Sequence, residues 1–264
     1  MKGYRLFWAC VCSLTMILPL VPMVAVPSAA ADGPSKNQAL RVKLEQAHRI
    51  LHMEGLAVDY TRGHISARSE DGLFYMKPYD KAFELVKADE MAGIDIDGNL
   101  VDGKGWIPSE KFIHLEIFRA RKDVGSVIHI HPDYSILLST VFTGSIVTVS
   151  QHAVHFTGKI PFYTAGSLIN TKEQGADVAK VLGNNSVILM KNHGITVAGR
   201  TIEEAVFLAI SFEQAAKEHL FASLFGKPSG MNPDDAKKLH EMHITPQSVQ
   251  GCWDYLVEKA KKKY

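Results

Sequence analysis

The chain has 264 residues, 46% hydrophobic and 22% charged, with a formal net charge of +1 at pH 7. That length supports one sizeable core, and the near-neutral balance excludes the basic footprint of a nucleic-acid-binding protein. Of three cysteines, Cys10 and Cys12 sit in the leader described next, so Cys252 stays alone and no internal disulfide is expected.

Residues 1–31 read as a secretory signal. Lys2 and Arg5 form the charged head, residues 6–26 an apolar body broken by Pro19 and Pro22, and Ala29 and Ala31 the small-x-small exit before Asp32. The rival reading is an uncleaved anchor, since the apolar part approaches a membrane span in length. Either way the remaining chain, residues 32–264, is expected outside the cytoplasm, periplasmic or secreted, as one domain with no stable membrane insertion after cleavage.

Ser35 is placed to cap a first helix carrying Leu40, Leu44, Ala47 and Leu51 and ending near Gly55. The runs HISARS (64–69) and LFYMKP (73–78) read as strands around the Asp71–Gly72 turn, followed by a strand-and-turn signal at MAGIDID and GNLVDG. PSEKFIHLEIFRARKD predicts a helix entered at Pro108 and Ser109, with Phe112, Ile113 and Ile117 on its apolar stripe. The strand SVIHIHP and a short helix through YSILLSTVF come next. SVILMKNHGITVAG is two apolar runs around a tight Asn192–His193–Gly194 turn. Thr201 and Glu204 form a capping box before a long helix, 202 to about 225, stopped by Gly226 and Pro228. The tail from Asn232 is expected to be helical and peripheral. Hairpins mixed with helices predict an α/β layered domain with a largely antiparallel sheet.

The histidines carry the chemistry. Side chains alternate along a strand, so His129 and His131 share a face while Ile128 and Ile130 take the other. His193 projects from a rigid turn and supplies a third imidazole. Three protein nitrogens with an open position suit zinc, and related divalent ions accept the same set. Glu110, nineteen residues before His129, is a candidate fourth ligand or an acid/base beside the metal. His114, His152 and His155 compete for the same roles on spacing alone.

The run PSEKFIHLEIFRARKDVGSVIHIHP, with MKNHGITVAG and TIEEAVFLAISFEQAA farther on, resembles the class II aldolase/adducin family over roughly residues 36–226. The resemblance implies a three-layer α/β/α sandwich around a mixed, mainly antiparallel sheet. It implies metal ligation by His129, His131 and His193, with Glu110 as the acid/base that also touches the metal. The implied ion is Zn2+, with Mn2+ or Fe2+ as alternatives, and the implied assembly is a homotetramer with sites at subunit contacts.

Sugar-phosphate members of that family hold phosphate on a Gly-Asn-x-Ser turn, a Thr/Ser-Pro-x-Gly turn and a Ser-Ser pair before the glutamate. Here GHIS (63–66) puts His64 in place of the asparagine, the glycine after Pro78 is missing, and Pro108 replaces the first serine. His64, Ser66, Arg68 and Ser109 are therefore the expected substrate-binding residues, and Arg68 and Lys77 are placed to meet a carboxylate, or are solvated surface charges. The expected activity is a metal-dependent C–C lyase, by retro-aldol cleavage or decarboxylation through a metal-stabilised enolate, on a small oxygenated substrate without phosphate. The alternatives are a related epimerase, an iron-dependent oxygenase, or a non-catalytic interaction domain like the adducins, which lack the metal histidines.

Overall fold

The computed structural model describes residues 37–57 and 59–264. The expected signal segment and the expected cap Ser35 lie outside the described residues. In chain order the elements are α1 (Gln38–Met53), β1 (His64–Arg68), β2 (Phe74–Met76), β3 (Ala92–Ile94), β4 (Leu100–Asp102), α2 (Lys111–Ala120), β5 (Ser126–Ile130), α3 (Asp133–Val141), β6 (Phe162–Tyr163), α4 (Lys172–Leu182), β7 (Val187–Met190), β8 (Gly194–Gly199), α5 (Ile202–Leu224), α6 (Pro233–His243) and α7 (Pro246–Lys263). Short 3-10 turns cover Ala88–Glu90 and His152–Phe156.

Among the described residues, eight strands form one sheet in the order β4-β3-β2-β1-β5-β8-β7-β6. Its pairs are antiparallel except for the parallel pair of β6 and β7. The period-2 alternation of the strands separates two cores. Ile65, Ile128, Ile130, Ile195 and Val197 face a layer containing α1 and α5, with Leu44, Leu51, Ala209 and Phe212. Phe74, Met76, Val127, Ile188 and Ala198 face α2 and α4, with Ile113, Ile117, Phe118, Val178 and Leu182. Burying both faces produces the three-layer α/β/α arrangement expected from the sequence.

Four elements depart from the sequence reading. β6 and α4 were not anticipated, because KEQGADVAKVL is polar and carries a mid-helix glycine that weakens a helix. Gly175 is there for proximity: a Cβ on it would lie 2.3 Å from the Phe112 carbonyl oxygen of α2. The Thr201 cap forms, its side chain accepting from Glu204 N–H at 3.2 Å, but the Glu204 carboxylate turns to Arg200 at 2.7 Å, so the box is only half made. Finally, the tail is not wholly peripheral, since Trp253 and Ala260 of α7 belong to the α1/α5 core.

Candidate metal centre

The sheet register builds the site. Across the face toward α2, His64 of β1 stands opposite His129 of β5, and His129 opposite Thr196 of β8. His131 follows the end of β5, its ring centroid 4.9 Å from that of His129. His193 comes from the β7–β8 turn, where Asn192 takes a left-handed φ of 54° that asparagine tolerates. The glycine after it is required by close approach: a Cβ on Gly194 would lie 2.3 Å from the Ile130 carbonyl oxygen and 3.1 Å from the His131 ring. The turn thus packs His193 onto His131, ring centroids 5.0 Å apart. Glu110 stands at the N-cap position of α2, its side chain turned away from the helix, and brings its carboxylate to 3.6 Å from His129 Nε2 and 3.7 Å from His193 Nε2. One ligand atom from each of Glu110, His129, His131 and His193 lies within 4.8 Å of all the others.

Hydrogen bonds fix which nitrogens face inward. His129 Nδ1 is 3.1 Å from the Ile195 carbonyl oxygen and 3.0 Å from Thr196 Oγ1, whose own proton goes to Met190 Sδ. His131 Nδ1 is 3.1 Å from Asp59 Oδ2. A carbonyl and a carboxylate only accept, so both Nδ1 atoms carry the proton and both Nε2 atoms present bare lone pairs. Those two Nε2 atoms face each other at 3.2 Å. Two lone pairs so placed repel unless a cation lies between them, and ligands on one tetrahedral zinc sit about 3.3 Å apart at Zn–N bonds of ~2.05 Å. Outer oxygens that orient ligating imidazoles complete the pattern of a metal site. The donor set therefore fits a divalent transition metal.

Electrostatics prepare the ligands. Burial, with His129 as the next cause, holds His131 down to about 3 and His193 to about 4, so both rings are neutral at pH 7. Burial by itself would raise Glu110. The His129 and His193 rings beside it and the Ile169 N–H, which donates to it at 3.2 Å, outweigh it and hold the carboxyl down to about 2. Glu110 is thus ionised although it is 7% exposed.

The substrate-side expectations divide. His64 and Ser109 line a cavity of about 160 Å³ beside Glu110 and His131. His64 Nδ1 lies 2.7 Å from His114 Nε2, and His114 Nδ1 lies 2.6 Å from Ser66 Oγ. Ser66 is fully buried, so it supports the site from behind. This chain also explains why His114 does not join the four donors: its nitrogens are taken.

Arg68 is a correction. It shares the β1 face with His64 but stands at the far end of the strand. There its guanidinium donates to the Phe118 carbonyl at 2.8 Å and lies 5.1 Å from the ring centres of Phe74 and Phe118. Lys77 is also withdrawn, fully buried, with Nζ 2.6 Å from the Thr61 carbonyl oxygen. His152 and His155 lie in another cavity, with Phe207 and Cys252.

Sequence reasoning missed Asp59, Thr196, Arg62 and Tyr79. Nothing in linear spacing ties Asp59 to His131. Thr196 was within reach, since pairing the H-x-H strand with the strand after His193 puts it beside His129. Arg62 and Tyr79 line the cavity, where Arg62 is the one cation among the described lining residues.

Comparison with known proteins agrees with this architecture. The chain is 28% identical over 196 residues to 3,4-dihydroxyphthalate decarboxylase of Arthrobacter keyseri, covering 70% of this chain and 79% of that one. It is 30% identical over 167 residues to L-fuculose phosphate aldolase of Methanocaldococcus jannaschii, covering 62% and 87%. The crystal structure of an aldolase II superfamily protein from Pseudomonas syringae superposes with a TM-score of 0.78 at 24% identity, covering 88% of this chain and 96% of that one. Residues 42–220 match the family described as Class II Aldolase and Adducin N-terminal domain. With that match spanning more than half its length, the chain belongs to the class II aldolase/adducin family.

Proposed function

We propose that the protein is a divalent-metal-dependent C–C lyase acting on a small, oxygenated, non-phosphorylated acid, by decarboxylation or retro-aldol cleavage. The observation that carries this reading is the pair of bare Nε2 atoms of His129 and His131, 3.2 Å apart, at the edge of a small cavity. His129, His131 and His193 would hold the ion with Glu110, and Zn2+ suits the set, with Mn2+ or Fe2+ accepted. When bound, the ion supplies Lewis-acid stabilisation of the negative charge that C–C cleavage leaves next to a carbonyl. Glu110 takes up and returns the proton at its carboxylate oxygens. The Ser109 hydroxyl and His64 Nε2, the nitrogen that His114 leaves free, orient substrate oxygens, while Pro108 and Leu168 limit water.

The withdrawal of Arg68 and Lys77 supports the exclusion of phosphate. A phosphate carries about two negative charges and needs several donors in a concave nest. Pro108 offers no N–H, and of the nearby cations only Arg62 reaches the cavity, at its exposed rim. One guanidinium suits one carboxylate. Losing two or three charge-assisted bonds at roughly 1.5–3 kcal/mol each weakens phosphate binding by several orders of magnitude. The decarboxylase relative supports the acid substrate; the aldolase relative keeps retro-aldol cleavage open.

Steady-state assays decide between substrates. Fuculose 1-phosphate and ribulose 5-phosphate are compared with hydroxylated aromatic acids and small hydroxy acids, reading aldehyde or CO2 release. Turnover of a non-phosphorylated acid is expected; efficient turnover of either phosphate ester overturns the proposal. The leader composition and the family resemblance support export to the periplasm or medium and a homotetrameric assembly, which light scattering on protein starting at Asp32 tests.

A further inference from the structure

We infer that Ser66 and His114 are positioning residues that hold His64 with its proton on Nε2. His64 then gives a hydrogen bond to the substrate oxygen that becomes negative as the C–C bond opens. The identity of that oxygen rests on the lyase reading above; the tautomer rests on the buried hydrogen-bond chain alone.

The chain has a direction, and Ser66 sets it. Ser66 is fully buried on β1, and among the described residues its Oγ has one hydrogen-bond partner, His114 Nδ1 at 2.6 Å. A buried hydroxyl that only accepts there has nowhere to send its own proton, and an unmatched buried donor carries its full desolvation cost. A hydroxyl that donates leaves over only lone pairs, which is cheaper. Ser66 therefore donates to His114 Nδ1. Burial, the leading cause, holds His114 down to about 3, so the ring is neutral and its one proton is on Nε2. That nitrogen lies 2.7 Å from His64 Nδ1, which must accept. Burial first, then the neighbouring His114 and His129, hold His64 well below the usual imidazole range, so its single proton stays on Nε2. The rival direction puts the His114 proton on Nδ1, toward Ser66 and its register partner Val127, whose backbone also borders the ring. It leaves the Ser66 proton stranded in the protein interior.

The result is the reverse of the metal ligands. His129 and His131 carry their protons on Nδ1 and turn bare Nε2 atoms inward, because a carbonyl and a carboxylate sit behind them. A second imidazole and a hydroxyl donor sit behind His64. Its ring centre is 5.4 Å from that of His129, and it lines the cavity with Ser109, Glu110 and His131, yet its remaining nitrogen has no lone pair for an ion. What it offers is a proton. A carboxylate, or an oxygen gathering charge, accepts that proton; a substrate hydroxyl finds no acceptor there for its own. A neutral donor fixed in a buried site needs no reorganisation as charge develops, and each bond of the Ser66–His114–His64 chain polarises the next in the same direction.

The test is solid-state NMR on the full chain, zinc-loaded and carrying isotopically labelled histidine, with the His64 signals assigned by their loss in His64→Asn. Correlating each ring nitrogen with its bonded carbons identifies the protonated one. Wild type should show His64 protonated on Nε2. Ser66→Ala, at unchanged zinc content, should move that proton to Nδ1. Oxalate, a metal-chelating dianion, serves as the ligand probe in calorimetric titration, and its Kd should rise about 10–100-fold in Ser66→Ala. A wild-type His64 protonated on Nδ1 overturns the inference, whether or not the variant folds. So does a folded Ser66→Ala that keeps the wild-type tautomer or the wild-type oxalate affinity. Efficient turnover of a phosphate ester would instead overturn the acid-lyase reading and leave the tautomer standing.

Discussion

His129 and His64 stand opposite each other on β5 and β1, both are buried and both face α2, but their Nδ1 atoms meet different partners. His129 gives its Nδ1 proton to the Ile195 carbonyl and to Thr196, and His131 gives its own to Asp59, so their Nε2 lone pairs converge. His64 spends Nδ1 on His114, which spends its second nitrogen on Ser66. The first group turns its Nε2 atoms toward one another and toward Glu110, a set that a cation fits. The second satisfies itself and leaves one nitrogen for a substrate. The same residue type in the same layer is thus directed to two tasks by its outer partners.

The largest effect expected from this contrast belongs to Glu110. Glu110→Gln is nearly isosteric, keeps the three imidazoles and removes the proton acceptor. Turnover should fall by about 10³-fold while circular dichroism and metal content stay close to wild type. Near-normal turnover in a folded, metal-loaded variant removes Glu110 from the mechanism.

Acid should act next most strongly, and through the buried neutral histidines. Burial is the leading cause that holds His48 and His114 down to about 3, below the ordinary value of 6.5. Between those values the unfolded chain binds more protons than the folded one, so stability is fully present above about pH 6.5 and is lost as pH falls toward 3. Each group contributes up to about 1.4 kcal/mol per pH unit. Thermal melts across that window should show the decline. His114→Phe should flatten it, and an unchanged slope in that variant argues that His114 is not held neutral.

Asp59→Asn probes the outer shell of the first group. The amide keeps the size but weakens its grip on the His131 proton, and zinc affinity should drop by about 10–100-fold in a calorimetric titration. An unchanged affinity means that the strand alone orients His131. The smallest effect is expected at Arg68, whose guanidinium ties β1 to the end of α2. Arg68→Met should cost about 1–2 kcal/mol in denaturant unfolding and leave KM unaltered. A raised KM would return Arg68 to the substrate.

Much of the centre was legible before any coordinates, because its logic is local. Strand alternation pairs His129 with His131, a turn signal exposes His193, and a helix start presents Glu110. What escaped depends on register and on neighbours distant in sequence. Arg68 obeys the same alternation as His64 and Ser66, yet the four residue steps from His64 carry it to the far end of α2, where carbonyls and aromatic rings claim it. Asp59 reaches His131 from a loop 72 residues away. α4 was hidden because its glycine, a helix-weakening residue, answers to the α2 backbone rather than to its own helix. Glu204 had the spacing of a capping box, but the adjacent Arg200 competed for its carboxylate and won.

The central claim is that His129, His131 and His193 hold one divalent metal with Glu110. Elemental analysis of wild-type protein and His131→Ala, purified side by side and shown to be folded, tests it most directly. The account predicts that the variant contains one fewer zinc-equivalent ion per chain. Equal metal content in the two proteins would contradict it.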